Sequence, residues 1–550
     1  MTGEELLSHT WWSLLTARAA ESPDRVALHF SGPGWDQPLR FGEWHRLAAE
    51  ASAALSAAGV GPGDMVAVLC PGSAVWPILQ AACSRLGAVL VPLNSRYRLD
   101  ELSYVLGLTR PKAIFYIAAI RDEPIIDRLT PALPPDTAPA LIELAAPRVE
   151  TTGTRPGTAA SADGSTSRPA TWAAFLGTGS QASGAATPEV SPADPVLMQF
   201  TSGTTAFPKG ALLGSASTLR ATYELGVRMG LTPDDVMYST QPMYHVGGSV
   251  ATTLMALTIG CTMIVPERYS PEETFRLVRE HRCTARTGQA AMYAMELAHP
   301  DFDPAIFATV TKGWSGGSAE LKQAVIERMD IPHLVSMYGL TESSSSTTVC
   351  AWHDPLEARL ASCGRALPGL EVAILEDGRM RDRDTGLGEI CVRGWALMAG
   401  YFSDAAATRA TIDADGWLHT GDLGRIDDQG YLYFVDRIKE MIKPGGENVS
   451  PAEVERVILS FPGVNQVAVV GIPDERLGEV PAAFVERAPG AAIEAAEIIE
   501  RCAARMARFK VPREVVFVTS WPLTESGKIL KRELRDSLAR GDLGWVGRSG

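Results

Sequence analysis

The chain has 550 residues, more than one hydrophobic core usually serves, so its length predicts several folded units. Hydrophobic residues make up 46% and charged residues 21%, a balance that is typical of globular proteins and excludes general disorder or a fibrous chain. The net charge of −14 repels phosphate backbones and anionic headgroups, which argues against nucleic acid or a membrane surface as the main partner.

Helical and strand patterns alternate through the first third of the chain. Residues 45–58 carry an apolar helical stripe, and an apolar strand pattern follows at residues 65–69. A helix over residues 75–86 and strands at 88–91 and 111–116 continue the theme. Strands separated by helix-length segments predict βαβ units, and therefore an α/β fold with a mostly parallel sheet.

The pattern changes twice farther along the chain. Thr, Ser, Gly, Ala and Pro dominate residues 150–193, which predicts a flexible surface segment with a short helix near Trp172–Leu176. Helices and strands alternate again over residues 195–349. Strands bounded by Gly and Asp then predict a small β-rich unit over residues 371–435, followed by a compact α+β unit.

Compartment and membrane signals are weak. Eight scattered cysteines without a C-x-x-C pair indicate a reducing compartment, and the acidic N-terminus lacks the pattern of a secretory signal. Residues 246–265 carry no charge over a length that could span a bilayer. Their glycines and threonines favour instead a buried helix that ends at Gly260 and leads into a strand. We therefore expect a cytoplasmic protein without a membrane span.

The segment from Met198 to Leu213 is the most informative part of the sequence. A strand-like lead-in runs into small hydroxyl residues and glycines, and Lys209 follows them. Such residues let backbone N–H groups converge on an anion, which predicts a phosphate-binding loop of a kind other than Walker A. A solvent-exposed Ser/Thr-rich loop is the alternative that composition alone leaves open.

This segment and four later motifs closely resemble those of the adenylate-forming superfamily. The later motifs, in the family's order, are Tyr338–Glu342, Gly416–Asp422, Asp436–Val449 and Leu523–Lys528. The resemblance extends from about Thr10 to Leu534. It implies a large N-terminal domain over residues 1–436, built of two α/β subdomains and a small β-barrel. A smaller, mobile α+β domain over residues 437–550 would follow a hinge.

The resemblance implies an ATP-dependent carboxylic acid–CoA ligase, or acyl-CoA synthetase. A fatty, cyclic or aryl acid would form an acyl-adenylate, and the thiol of coenzyme A would then displace AMP. ATP, Mg²⁺ and coenzyme A are the implied cofactors and co-substrates, and fatty acid metabolism is the expected setting. Loading of an acyl carrier protein is the main alternative, an inactive nucleotide-binding scaffold is a second, and the sequence leaves homodimerisation open.

The resemblance also assigns roles in adenylate formation. Lys528 would bridge the attacking carboxylate and the α-phosphate, whose developing charge needs positioned cations. Glu342 and Thr204 would hold Mg²⁺, Thr341 would donate to the α-phosphate, and Asp422 would accept the ribose hydroxyls. The implied nucleotide site comprises Thr201, Ser202, Gly203, Thr204, Thr205, Lys209, Gly316, Gly317, Ser318, Tyr338, Gly339, Asp422 and Arg437.

Further positions are implied for the acid and the thiol. Lys439 matches the family's hinge, and the residues that would border the thiol path are Lys443, Gly445, Gly446, Glu447 and Asn448. The residues that would wall the acyl pocket are Tyr244, His245, Trp314 and Met292. Residues 244–250 lack the aspartate that amino-acid-activating relatives use to bind an ammonium group, which favours an acid without an α-amine.

One motif favours a different enzyme class. Gly313-Trp-Ser315-Gly-Gly317 satisfies the G-x-S-x-G pattern of a hydrolase nucleophile, and His333, His353 and His419 follow it. A serine hydrolase would leave the other motifs unexplained. We therefore keep it as a distant alternative to the ligase.

Overall fold

The computed structural model describes residues 2–32, 38–120, 123–144, 170–181, 188–201, 208–376, 378–444, 449–523 and 529–541. The helices are α1 Trp11–Glu21, α2 Phe41–Ala57, α3 Val75–Leu86, α4 Leu99–Thr109, α5 Ile125–Leu129, α6 Trp172–Gln181, α7 Ser215–Arg228, α8 Val246–Ser249, α9 Thr253–Thr258, α10 Pro271–Glu280, α11 Ala290–Ala298, α12 Ala319–Arg328, α13 Leu356–Ala361, α14 Ala405–Thr411, α15 Pro451–Leu459, α16 Ala495–Ala503 and α17 Lys531–Arg540.

The strands before the middle of the chain are β1 Val26–Phe30, β2 Pro38–Arg40, β3 Met65–Leu69, β4 Val89–Pro92, β5 Ala113–Ile117, β6 Ala119–Ile120, β7 Glu123–Pro124, β8 Ala140–Leu144, β9 Ala170–Thr171, β10 Pro195–Thr201, β11 Lys209–Gly214, β12 Val236–Tyr238 and β13 Thr262–Val265. The later strands are β14 Ala285–Gly288, β15 Lys312–Ser315, β16 His333–Val335, β17 Met337–Tyr338, β18 Thr348–Val349, β19 Arg365–Ala366, β20 Leu370–Glu376, β21 Arg379–Arg381, β22 Gly388–Gly394, β23 Gly400–Tyr401, β24 Leu418–Ile426, β25 Leu432–Arg437, β26 Val464–Asp474, β27 Gly478–Arg487 and β28 Glu514–Phe517.

The chain forms two compact units. The first comprises Met1–Leu370 and Arg393–Leu418, and the second comprises Glu371–Val392 and His419–Gly550. A large N-terminal part and a smaller C-terminal part were expected, and the α/β architecture confirms the predicted fold class. The boundary between residues 436 and 437 stays a prediction.

Two large sheets organise the first unit. An eight-stranded sheet has the order β23-β11-β10-β4-β3-β5-β8-β9, and a seven-stranded sheet has the order β16-β15-β14-β12-β13-β1-β2. Neighbours pair in parallel except β1 with β2, β10 with β11 and β11 with β23. Every residue of β3 is buried, as expected of a strand covered on both faces. The predicted, mostly parallel sheets are therefore confirmed.

The local chemistry of the helix ends agrees with these elements. The last turn of α3 is closed by Gly87 in the left-handed conformation (φ +67°), where a side chain would cost energy. The side chain of Ser270 accepts a hydrogen bond from the backbone of Glu273, and Pro271 occupies the first turn of α10. Packing of the sheet-facing sides of these helices then forms the main hydrophobic core.

The second unit contains a five-stranded sheet, β21-β20-β22-β24-β25, and a three-stranded sheet, β26-β27-β28. The β-rich and α+β elements predicted after Gly364 are thus present. Ser450 caps α15, as its position before Pro451 predicts. Two hydrophobic clusters lie on opposite faces of the three-stranded sheet, one of them under α15 and α16.

One element prediction needs correction. The uncharged stretch after His245 forms two short helices, α8 and α9, in place of one buried helix. The hydroxyl of Thr252 donates to the carbonyl of Gly247, and the hydroxyl of Thr253 donates to that of Ser249. These local bonds compete with regular helix bonding, so the helix breaks between Ser249 and Thr253.

Cysteine and membrane predictions can also be compared with the structure. All eight cysteines are free thiols, and all but Cys363 are buried. Within the described ranges, none of the helices combines the length and apolar character that crossing a bilayer requires. The stretch that imitates a span is instead broken into α8, α9 and the strand β13.

Candidate active site

The predicted phosphate loop connects the ends of two paired strands. β10 ends at Thr201 and β11 begins at Lys209, and these two residues are register partners in the antiparallel pair. Residues 202–207, which include Ser202, Gly203, Thr204 and Thr205, lie outside the described residues. Lys209 stands over the ring of Tyr401 at 5.0 Å from its centroid. This cation–π contact places a positive charge at the base of the loop.

Tyr401 also orients the predicted metal ligand. Its hydroxyl donates a 2.7 Å hydrogen bond to Glu342 Oε1, and the carbonyl of Glu342 accepts from the backbone of Met398 at 2.8 Å. Burial and the neighbouring carboxylate raise the pKa of Tyr401, so its hydroxyl keeps the proton that it donates. Glu342 is half-buried, and a carboxylate oxygen in a partly open position suits a hard cation such as Mg²⁺.

The backbone around Glu342 is under conformational strain. Thr341 and Glu342 lie in a short 3₁₀ turn, and the next residues, Ser344 and Ser345, have positive φ angles of +56° and +86°. Non-glycine residues in this region cost energy and occur most often at functional sites. A side chain at Gly339 would lie 2.1 Å from the carbonyl of Ser345. This motif therefore requires glycine for its close backbone approach.

The predicted adenine-side segment lies at the end of β15. Ser318 caps α12 by accepting from the backbone of Leu321 at 3.3 Å, and Gly317 has a φ of +101°. Tyr338 is buried on β17, and its carbonyl accepts two bonds from Thr347. Gly316 and Gly317 thus sit between a strand and a helix N-terminus, an arrangement that leaves backbone N–H groups available to a ligand.

The second unit carries the predicted ribose carboxylate. Asp422 on β24 faces Arg437 on β25 as a direct cross-strand pair, and Asp422 Oδ1 lies 3.2 Å from Arg437 Nε. Asp422 is only 2% exposed, whereas the Arg437 side chain is 40% exposed. The guanidinium therefore supplies the positive partner that a buried carboxylate requires. The sequence assigns each of these two residues to the nucleotide site from a separate motif, and their pairing is a finding of the structure.

His245 caps α8 in a way that fixes its tautomer. The ring Nδ1 accepts a 3.1 Å hydrogen bond from the backbone of Gly247. Desolvation by the surrounding protein lowers the pKa of His245, although the residue still reaches solvent, as expected at the wall of a recess. A neutral ring that accepts at Nδ1 carries its proton at Nε2, so His245 presents a neutral N–H donor.

The other acyl-pocket candidates surround the same region. Trp314 is buried in the main core cluster together with Met243 and Val246, and Tyr244 packs against that cluster. Met292 is buried on α11, which follows the strand next to that of Trp314. Among the residues that the structure describes, the indole N–H of Trp314 has no hydrogen-bond partner. The wall is thus mainly apolar, and Trp314 is its largest side chain among these candidates.

The hydrolase alternative finds no support in the geometry. Ser315 is fully buried, and its hydroxyl donates to the adjacent carbonyl of Gly316 at 2.7 Å. His333 meets Trp352 edge to face, and His419 contacts Glu389. Across the ranges that the structure describes, no histidine forms a hydrogen bond with Ser315, so this hydroxyl lacks the base that a nucleophile needs.

The hinge and thiol-path candidates are only partly described. Lys439 is exposed in a 3₁₀ turn after β25, and the backbone of exposed Lys443 donates to Glu479 at 3.1 Å. Asp436 accepts from Ser450 at 2.7 Å, which ties the end of β25 to the start of α15. Gly445, Gly446, Glu447, Asn448 and the catalytic candidate Lys528 fall outside the described residues.

Sequence reasoning missed Tyr401 and the backbone strain at Ser344 and Ser345, which it considered only as part of a polar run that could line the pocket. Tyr401 lies in a two-residue strand far along the chain from Glu342. The pairing of β23 with β11 and the backbone bond from Met398 to Glu342 bring the two together. The serines stand in a polar run whose positive φ angles leave no mark in composition.

Two family models match the chain. Residues 15–402 match the AMP-binding enzyme family, and residues 453–528 match the AMP-binding enzyme C-terminal domain. A relative from Mycobacterium tuberculosis, 3-[(3aS,4S,7aS)-7a-methyl-1,5-dioxo-octahydro-1H-inden-4-yl]propanoyl:CoA ligase, is 35% identical over 88% of this chain and 91% of its own length. The mitochondrial medium-chain acyl-CoA ligase ACSF2 of Macaca fascicularis is 32% identical over 98% of this chain and 88% of its own.

Solved structures agree with these relatives. ATP-bound MatB from Rhodopseudomonas palustris superposes with a TM-score of 0.82 at 26% identity, covering 97% of this chain and all of that one. These matches extend over nearly the whole chain. They therefore include the strands beside the phosphate loop, the turn at Glu342 and the Asp422–Arg437 pair. The chain belongs to the AMP-binding enzyme family, and it is an AMP-forming acid–CoA ligase that works through an acyl-adenylate.

Proposed function

We propose that this ligase activates a medium-chain or alicyclic carboxylic acid in the cytoplasm, using the Mg²⁺ complex of ATP, and takes part in fatty acid metabolism. The observation that carries the proposal is the group formed by Lys209, Tyr401 and Glu342 at the ends of β10 and β11. It combines a cation for phosphate with an oriented carboxylate for a metal beside the predicted phosphate loop.

The residues present suit the metal. Glu342 offers a carboxylate oxygen whose orientation is fixed by Tyr401, which is the donor type that Mg²⁺ prefers. Glu342, with Thr204 from the loop, would hold the ion, which when bound neutralises charge on the ATP phosphates. Lys209 contributes a positive charge next to the ring of Tyr401.

The nucleotide's sugar would be held by the second unit. Asp422 accepts both ribose hydroxyls, a task that suits a buried carboxylate with two oxygen atoms. Arg437 orients that carboxylate through its 3.2 Å contact. Lys528 then neutralises the charge that builds up as the acid attacks the α-phosphate.

The acid would be oriented by His245 and shaped by Trp314. The Nε2–H of neutral His245 donates to a carboxylate oxygen, which leaves the other oxygen to attack phosphorus. The bulk of Trp314 closes the apolar wall and favours short, medium or cyclic acyl groups over long chains. The medium-chain and bicyclic acids in the names of the two relatives support this size class.

Coenzyme A is the expected acceptor, and the thiol path would run by Lys443 and the loop Gly445–Asn448. The experiment that tests the acid class is a product assay with ATP, coenzyme A and a panel of linear acids of increasing length, alicyclic acids and aryl acids. We expect acyl-CoA and AMP in equal amounts, with the highest kcat/KM for medium-length and alicyclic acids. A preference for long-chain or aryl acids would contradict the proposed class, and transfer only to an acyl carrier protein would contradict the acceptor.

The cytoplasmic assignment rests on the eight free thiols, because cysteines left unpaired in this number are typical of a reducing compartment. Cell fractionation with an antibody to the full chain tests it. Recovery with an organelle or membrane fraction would contradict the assignment.

A further inference from the structure

Three chemically distinct donor groups converge in the five-stranded sheet of the second unit. Glu389 and Cys391 lie on β22 two residues apart, so their side chains point to the same face. His419 lies on β24, the neighbouring strand. One ligand atom from each residue falls within 4.8 Å of the other two. The ligase reaction, as described above, uses none of these three side chains.

The three groups meet at a single ring nitrogen. His419 Nδ1 lies 2.9 Å from Glu389 Oε2 and 3.7 Å from Cys391 Sγ. One ring nitrogen carries at most one hydrogen, and the carboxylate already receives it at 2.9 Å. The Cys391 thiol lies within reach of the same nitrogen and also 3.8 Å from the backbone carbonyl oxygen of Glu389. A shared cation between the three atoms would account for the convergence.

The spacing suits a tetrahedral thiolate–imidazole site. Zinc bonds of about 2.3 Å to sulfur and about 2.0 Å to nitrogen place these two ligand atoms about 3.5 Å apart at a tetrahedral angle. The 3.7 Å between Cys391 Sγ and His419 Nδ1 is close to this value. Zinc bonds of about 2.0 Å to nitrogen and to oxygen would place those two atoms about 3.3 Å apart, about 0.4 Å more than the observed 2.9 Å between His419 Nδ1 and Glu389 Oε2.

The surroundings provide both orientation and access. Glu389 Oε1 accepts from the backbone N–H of Gly421 at 2.9 Å, so the carboxylate is held from behind as metal ligands usually are. The side chains of His419 and Glu389 are 26% and 20% exposed, which leaves a route for an ion and for a water molecule as fourth ligand. Cys391 itself is buried, which protects its thiol from oxidants.

We propose that Glu389, Cys391 and His419 form a binding site for Zn²⁺, a second metal site distinct from that of the ATP complex. On binding, the Cys391 thiol loses its proton to solvent and the three side chains with one water molecule surround the ion. The hydrogen on His419 Nδ1 is released to solvent as this nitrogen binds the ion, and the neutral ring carries its hydrogen on Nε2 in the bound state.

The site is mechanically linked to the nucleotide carboxylate. Gly421, which Glu389 holds, directly precedes Asp422, and the backbone of Asp422 donates to Thr420 Oγ1 at 3.1 Å. Moving the Glu389 carboxylate toward zinc weakens its hold on Gly421 and displaces Asp422. Zinc binding therefore lowers ATP affinity, a consequence that rests on the proposed ribose role of Asp422, whereas the zinc site itself does not.

The test measures Zn²⁺ binding to the reduced full-length protein by competition with a chromophoric chelator, together with the absorption spectrum of the Co²⁺ complex. We expect one ion per chain and a thiolate-to-Co²⁺ band in the near ultraviolet. Cys391→Ser and His419→Gln should each weaken Zn²⁺ binding by at least about tenfold, and Cys391→Ser should abolish the band. Cys363→Ser, which removes a more exposed thiol outside the cluster, should change neither.

Equal Zn²⁺ affinity in wild type and Cys391→Ser, or a Co²⁺ spectrum without a thiolate band, would overturn the site. Circular dichroism of each variant separates loss of a zinc ligand from loss of folding. Cys391→Ser on β22 and His419→Gln on β24 must both weaken Zn²⁺ binding. ATP binding is then measured with and without Zn²⁺. Reduced ATP affinity supports the link to Asp422, while unchanged affinity with zinc bound overturns that link and leaves the zinc site established.

Discussion

At the scale of single residues, Tyr401 joins the two charges of the proposed phosphate site. Its ring makes a cation–π contact with Lys209, and its hydroxyl donates a 2.7 Å hydrogen bond to one carboxylate oxygen of Glu342. Neither contact follows from the motifs, because strand β23 is two residues long and its partner β11 is almost two hundred residues earlier.

Tyr401→Phe should separate the two contacts, because it removes the hydroxyl and keeps the ring under Lys209. A hydrogen bond to a charged group contributes about 1.5–3 kcal/mol, so adenylate formation should fall by roughly tenfold to a hundredfold. The measurement is the Mg²⁺ dependence of kcat/KM for ATP. Tyr433→Phe, which removes a 3.1 Å bond to Asp427 in the other unit, is the matched control. Equal kcat/KM values for ATP in Tyr401→Phe and Tyr433→Phe would contradict the role of Tyr401.

Asp422→Ala should act on nucleotide binding. The change removes the carboxylate proposed to accept both ribose hydroxyls and leaves Arg437 without its 3.2 Å partner. We expect ATP affinity to fall by at least about tenfold, since two hydrogen bonds to a charged group are lost. Titration of a fluorescent ATP analogue measures this affinity. As a control, 2′,3′-dideoxy-ATP, which lacks both hydroxyls, should bind the variant and wild type with similar affinity. An unchanged dissociation constant for ATP would count against the assignment.

At the scale of elements, a buried ion pair fixes the helix that carries Met292. Arg286 on β14 and Glu296 on α11 form two hydrogen bonds, of 2.6 and 2.9 Å, and both side chains are fully buried. Burial alone would lower the pKa of Arg286, but the carboxylate of Glu296 more than offsets it, so the guanidinium stays charged. Tyr293 and Phe307 place ring faces against the same guanidinium.

Glu296→Gln should therefore destabilise the protein strongly, because it leaves a buried positive charge without its counter-ion. The expected loss is about 3–5 kcal/mol of the free energy of unfolding. Urea denaturation followed by circular dichroism measures it. Glu280→Gln, which breaks the exposed pair with Arg276, should cost no more than about 1 kcal/mol. Similar losses in both variants would contradict the importance of burial.

Most elements could be predicted from the sequence where their pattern is local. The strand at residues 65–69 and the helix at residues 75–86 match the observed bounds, because apolar periodicity and Gly87 mark them. The broken helix after His245 could not be predicted, since hydroxyl-to-backbone bonds at Thr252 and Thr253 decide it.

The site divides in the same way. Glu342, Asp422, Arg437 and Lys209 stand in contiguous motifs, so their membership of the site could be predicted from the sequence. Tyr401 and the strained serine pair depend on contacts between distant segments or on backbone angles, which composition does not record. The cluster of Glu389, Cys391 and His419 was missed for the same reason, because pairing of separate strands creates it.

At the scale of the whole molecule, the family implies that one chain performs two successive half-reactions by rotating its C-terminal part. Lys439, the residue expected to serve as the hinge, lies exposed in a 3₁₀ turn between β25 and α15. The backbone at this point must change its dihedral angles if the rotation occurs.

Lys439→Pro should restrict that rotation, because proline fixes φ near −65° and removes a backbone N–H. We expect adenylate formation to stay within about threefold of wild type and thioester formation to fall at least about tenfold. Separate assays of ATP–pyrophosphate exchange and acyl-CoA production give the two rates. Lys439→Ala, which alters the side chain and keeps backbone freedom, should retain both. Equal loss of both half-reactions in the proline variant would contradict a hinge at this residue.

Carboxylate-dependent ATP–pyrophosphate exchange without any thiol tests the central claim most directly, because only an acyl-adenylate formed reversibly can produce it. The assay compares wild type and Lys528→Ala over linear, alicyclic and aromatic acids, with ATP binding measured in parallel. We predict exchange with medium-length and alicyclic acids in wild type, and its loss in Lys528→Ala while ATP still binds. Absence of exchange with every acid in wild type, or undiminished exchange in Lys528→Ala, would contradict the account.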